Sequence, residues 1–141
     1  MEKIPTGHTR AEIKAREKLI RAFYTKWIME HPDRKIWNLN MEAYICVKFI
    51  SYNETVEKAS RSYESTLAVL SLTEILEKAE KIGEQPAKKS VQNQKQFEKM
   101  VIMKYGDVKL TVGLQRSTRE FVQYCVTVPG NTNKNKATTK K

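Results

Sequence analysis

Lys109, Thr111 and Gln123 lie in two apolar, strand-like runs, and the alternation of those runs places all three on one side of a sheet if the runs pair as a hairpin. An ammonium, a hydroxyl and a carboxamide together are an unusual concentration of polar groups for one sheet face. Pairing Leu110 with Val126, Val112 with Tyr124 and Leu114 with Val122 makes the opposite side uniformly apolar, so it can pack on helices. The remaining side then carries Lys109, Thr111, Gly113 and Gln115 with Gln123, Cys125 and Thr127. That face is the leading site; an ordinary wet sheet face is the alternative.

A second group is Arg61 with Ser62, Ser65 and Thr66, which interrupts an apolar helical pattern. A guanidinium and hydroxyls near a helix start can take a phosphate, and capping with solvation explains the same residues. Arg116 and Arg119 border the turn between the two strand-like runs and add cations for a nucleic acid. Of the histidines, His8 lies near the N-terminus and His31 precedes Pro32, where an imidazolium at a helix C-terminus is the simpler role. Tyr52, Tyr63, Tyr105 and Phe121 are candidates for base stacking, although their spacing also fits a core. No phosphate-loop, dinucleotide, zinc-protease or nucleophile-elbow motif occurs. Cys46 and Cys125 sit in apolar runs without metal-ligand spacing, so they read as buried free thiols, and neither a metal nor a cofactor is expected.

These groups depend on the elements that hold them. Thr9 and Glu12 form a capping-box pattern, and Ile13, Ile20, Phe23, Trp27 and Ile28 keep helical spacing until Pro32. The outer face of this helix is basic. A short hairpin over Lys35–Asn38 and Tyr44–Ile50 comes next, followed by helices over about 53–69, capped by Asn53, and 71–82, capped by Ser71 with Glu74 and stopped at Gly83. Residues 83–96 hold too little apolar surface for a core element and read as a mobile connection. Three strands, Phe97–Tyr105, Val108–Gln115 and Phe121–Val128, should form an antiparallel meander. The expected fold is α+β: one domain over 9–128, helices on one face of one sheet, a flexible stretch at 1–8 and a disordered basic tail at 129–141.

The chain has 141 residues, a mean hydropathy of −0.61 and a formal charge of +10. That composition supports a soluble domain, excludes a membrane-embedded one and favours polyanionic partners, RNA first. A protein partner stays open, and so does the oligomeric state. The charge is uneven: four lysines lie in 129–141, while residues 51–83 hold six acids against four bases. A solubilising surface is the alternative reading of this charge. No secretory signal or apolar span is visible, so a cytoplasmic location is expected.

The element order and the stretches ASRSYESTLAVL and KLTVGLQRSTREFVQYCVTV resemble the barnase/EndoU/colicin/RelE-type nuclease-like domains of phage and mobile-element proteins from gut bacteria. The likeness spans about residues 15–128. It implies a metal-independent ribonuclease or toxin-like nuclease in which the ribose 2′-hydroxyl attacks the adjacent phosphate. On this chain it implies Lys109 or Arg61 as the cation on the phosphorane, with Thr111, Ser65 and Gln123 orienting phosphate or base. The sequence lacks the Glu/Arg/His set and the paired histidines of two of those groups. A catalytically silent nucleic-acid-binding or protein-docking module of a mobile-element protein therefore remains the alternative.

Overall fold

The first helix begins where its cap predicts. Thr9 Oγ1 accepts the Glu12 N–H at 3.2 Å, and the Glu12 carboxylate takes the Thr9 N–H at 3.3 Å, so α1 spans Arg10–Glu30. In this computed structural model, which describes residues 3–129, α1 buries Ile20, Tyr24 and Trp27. Its Arg16 is fully buried, with Nε donating to the Ser60 carbonyl at 2.8 Å and Nη1 to the Pro5 carbonyl at 2.7 Å. His31 closes the helix, stacked on Trp27 with ring centroids 4.2 Å apart. The basic tail expected from 129 onward lies, past Pro129, outside the described residues.

The hairpin follows as β1 (Lys35–Asn38) and β2 (Ala43–Cys46). The chain then turns helical earlier than its apolar run suggests: α2 is Phe49–Ala59, so Asn53 is inside the helix and not its cap. The stretch after it is two short helices, α3 (Tyr63–Val69) and α4 (Leu72–Lys78). Ser62 caps α3 by accepting the Ser65 N–H at 3.1 Å. The capping box expected at Ser71 and Glu74 does not form; Ser71 makes no side-chain cap bond, and Glu74 accepts from the Tyr105 hydroxyl. Gly83 is not a helix stop either. It lies in β3 (Glu80–Pro86), an edge strand at the start of the segment expected to be only a connection, and a 3₁₀ turn (Gln92–Gln94) occupies part of the rest. Periodicity misses β3 because its side chains are mostly exposed, so no apolar alternation marks it.

The last three strands, β4 (Phe97–Tyr105), β5 (Val108–Gln115) and β6 (Phe121–Thr127), form the expected meander. All six strands make one sheet in the order β1-β2-β6-β5-β4-β3. Every pairing is antiparallel except β2 with β6, which run parallel through Ile45 opposite Phe121 and Cys46 opposite Val122. Asn38 fastens the α4–β3 junction to the hairpin. This fully buried side chain donates to the carbonyls of Leu76 at 2.8 Å and Ala79 at 3.0 Å and accepts the Met41 N–H at 2.7 Å.

The helices cover one face of the sheet, where Leu110, Val112, Val101, Met103, Ile45 and Val126 meet Ile20, Tyr24, Val56, Leu72 and Leu76. Some of the apolar partners are recognisable from the strand alternation alone. The other face holds a second apolar cluster of Phe97, Met100, Val122, Tyr124 and Cys125, capped by Ile50 and Ala87. There the Phe97 ring lies against Gly113, where a Cβ would stand 2.6 Å from Cδ1; only glycine fits beneath it.

Candidate functional site

Register decides which groups reach solvent, and it differs from the regular pairing expected of β5 and β6. Leu110 faces Val126 as expected, but a bulge after Thr111 and Cys125 places Val112 opposite Gln123 and Leu114 opposite Phe121. One extra residue in β6 reverses the faces beyond it. Tyr124 and Cys125 therefore both belong to the second face, and Gln123 turns into the helix-covered core.

The α2 helix runs beside the part of β6 that β2 does not reach. Thr55 accepts from Gln123 on the core side, while Lys58 lies 5.7 Å from the Tyr124 ring centroid on the other. Glu54, on the same helix and nearly fully buried, holds Lys58 Nζ at 2.6 Å and accepts from Asn93 of the segment before β4. Burial works against the Lys58 ammonium, but its bond to Glu54 and the negative charge there together outweigh that effect and keep the pKa above the usual value. Burial pushes the Tyr124 hydroxyl up, and it pushes the Cys125 thiol up to about 12. Neither group is a proton acceptor near neutral pH.

The polar open face expected around Lys109 is therefore largely apolar and covered. What remains of it is one end: Lys109, exposed on β5 beside Lys104 of β4 and Thr127 of β6, with half-buried Thr111 next to it. Arg61 is exposed at the end of α2 and bonded to Glu57 at 3.4 Å; no hydrogen bond or ion pair joins it to Lys109 or Thr111. Two expected contacts are corrected. Gln123 is 0% exposed and accepts from the Tyr24 hydroxyl at 2.8 Å. Ser65 is 4% exposed, and its hydroxyl accepts the Val128 N–H at 2.8 Å. Both side chains serve packing because their polar atoms are already satisfied inside. Arg116 and Arg119 are exposed in the β5–β6 turn, and Arg119 is paired with Glu98. Of the aromatics considered for stacking, Tyr52, Tyr105 and Phe121 pack against the core.

The hairpin presents a group that the sequence reading passed over. Trp37 is 44% exposed and Tyr44 48% exposed, and they meet edge to face with centroids 5.1 Å apart. They are direct partners across β1 and β2, and Lys35 Nζ sits 4.4 Å from the Tyr44 centroid. A shallow recess lined by Arg34, Lys35, Cys46, Lys48, Phe49 and Glu120 adjoins this pair through Lys35. Lys48 Nζ bonds Glu120 and Gln115, each at 2.6 Å, which holds its carboxylate partner well below the usual range. The signal was present in the alternation: Trp37 and Tyr44 flank the buried side of Ile45 and Asn38, so they had to share the opposite side. Among the described residues, no group of three His, Cys, Asp or Glu side chains could hold a metal, and both cysteines are free.

The family model of large polyvalent protein-associated domain 3 matches residues 15–120, most of the chain and most of the α+β unit. The chain belongs to that family. Large polyvalent protein-associated domain 3 points to a phage- or mobile-element-associated protein, which agrees with that part of the resemblance read from the sequence. No curated protein and no solved structure matches the chain, and the nuclease-like part of the resemblance has no relative behind it. No helix among the described residues of this domain is long and apolar enough to cross a membrane.

Proposed function

We propose that the chain is a nucleic-acid-binding module that holds single-stranded RNA along the open side of the β1–β2 hairpin. The exposed Trp37–Tyr44 pair with Lys35 over the Tyr44 ring carries this reading. Two large rings left half in water on a sheet face offer flat apolar surface, and bases stack on such rings without regard to sequence. Lys35, over the Tyr44 ring, and its chain neighbour Arg34 offer cations for the phosphates, and a chain of +10 draws a polyanion from a distance. Binding without cleavage is the form of this reading that the geometry favours. Of the residues assigned to a nuclease centre, Gln123 and Ser65 are committed to the core and Arg61 is bonded to Glu57.

Fluorescence anisotropy with a labelled single-stranded RNA tests it. Trp37→Ala and Tyr44→Ala should each weaken binding by about 1–3 kcal/mol, the usual worth of one stacked base. Lys35→Ala should make log affinity less steep in log salt by about 0.7, one phosphate contact on a single strand. Unchanged affinity in both aromatic variants would remove the hairpin from the interface. Cleavage of the RNA by the wild type would overturn the silent module and return attention to Lys109 and Thr111.

A further inference from the structure

Beyond the stacking pair, a recess of about 300 Å³ lies at the start of α2, lined by Lys48, Phe49, Ile50, Asn53, Asn93 and Gln96. This is the lower end of the volumes that hold small ligands. Phe49 is 75% exposed at its mouth, an unusual position for a phenyl ring in a chain that buries its other phenylalanines wholly or in part. Lys48 and Phe49 also line the neighbouring recess that reaches Lys35 of the hairpin, so the two recesses adjoin.

The polar lining has a distinct character: three of its six residues carry neutral carboxamides. Their hydrogen-bonding capacity is only partly used. Asn93 donates through Nδ2 to Glu54, leaving its oxygen, and Gln96 accepts through Oε1 from Gln115, leaving its amide nitrogen. Asn53 makes no side-chain hydrogen bond among the described residues and offers both its donor and its acceptor. A carboxamide with both atoms available matches a base edge that carries one donor beside one acceptor. Adenine is the base that presents this pair on both its Watson–Crick and its Hoogsteen edge. In single-stranded RNA the bases are unpaired, so both edges can be read.

We propose that this recess is an adenine-reading subsite, in which Phe49 stacks on the base, Asn53 bonds its edge and the remaining Lys48 proton meets the adjoining phosphate. The proposal rests on the RNA-binding reading and adds a preference to it. Stacking on Trp37 and Tyr44 tolerates any base, whereas Asn53 discriminates.

Labelled oligo(A), oligo(U) and oligo(C) of equal length, titrated with the full chain and with Asn53→Ala and Trp37→Ala, separate the two ideas. The wild type should bind oligo(A) about 5-fold tighter than oligo(U) or more, the low end of what one bidentate pair supplies. Asn53→Ala should bring oligo(A) to within about twofold of oligo(U). Trp37→Ala should weaken all three. Equal binding of the three oligomers by the wild type, or an oligo(A) preference that survives Asn53→Ala, overturns the adenine subsite while leaving the stacking surface in place. No binding to any of them overturns the RNA reading itself. Asn53 is exposed, so its replacement by alanine, a better helix former, leaves the fold intact.

Discussion

Tyr24 and Gln123, on the first helix and the last strand, are joined by a 2.8 Å hydrogen bond from the phenolic hydroxyl to the carboxamide oxygen. The amide nitrogen of Gln123 continues the chain to Thr55 Oγ1 at 2.8 Å, so one side chain links α1, α2 and β6 in a place without solvent. A buried polar chain of this kind is stable only while every member is satisfied.

Gln123→Ala should therefore destabilise the fold by about 2–4 kcal/mol, because it leaves the Tyr24 hydroxyl and the Thr55 hydroxyl short of a partner as well as opening a cavity. Urea unfolding measures it. A nucleic-acid contact at Gln123 would give the reverse result, with stability retained and RNA affinity lost.

The Cys125 thiol, raised to about 12 by burial, makes stability depend on alkaline pH. An unfolded thiol ionises near pH 8.5. Above that value the unfolded chain has released a proton that the folded chain still holds, so stability falls as pH rises. The contribution is fully present below about pH 8 and is lost progressively toward pH 12. Between pH 9 and 10, Cys125→Ala should remove a slope approaching about 1.4 kcal/mol per pH unit. Equal slopes in wild type and variant would show that the thiol is reached by water.

Lys58 neutralises Glu54, a carboxylate that is almost fully buried, while its own ammonium is partly in solvent. Removing the cation should be worse than removing the pair. Lys58→Met is expected to cost about 1–3 kcal/mol, below the 3–5 kcal/mol typical of a fully buried pair because water reaches the ammonium. The double variant Lys58→Met/Glu54→Gln should regain most of it, since the neutral amide no longer requires a counter-charge. Chemical denaturation of the four-member cycle measures the coupling. A double variant as unstable as the single one would mean that the loss comes from Lys58 packing on Tyr124.

Local signals were legible in the sequence wherever the deciding interaction is short in range. Thr9 and Glu12 are three residues apart and specify the start of α1 by themselves; the alternation of Phe97–Tyr105 and Val108–Gln115 gives β4 and β5 their observed limits. The same is true of the two free cysteines and of the overall α+β order. Where a long-range partner decides, the local pattern misleads. Ser71 and Glu74 have the spacing of a capping box, yet Glu74 is taken by Tyr105 from another part of the chain. Strand β3 has no apolar alternation because its backbone pairs with β4 at an edge, where side chains face water.

The candidate site depends on this distinction more than the fold does. Residue types and period two were enough to place Lys109 and Thr111 on one sheet face; the same alternation puts Trp37 and Tyr44 on a shared side that the sequence reading passed over, since alternation is a property of the strand itself. Which of those residues stay in water is decided only by tertiary structure. The bulge at Tyr124 sends Gln123 into the core, and Ile50 and Ala87 close over Phe97 and Tyr124, leaving the hairpin aromatics exposed. A single inserted residue in a ladder changes no local propensity, but it exchanges the buried and the open side of everything beyond it.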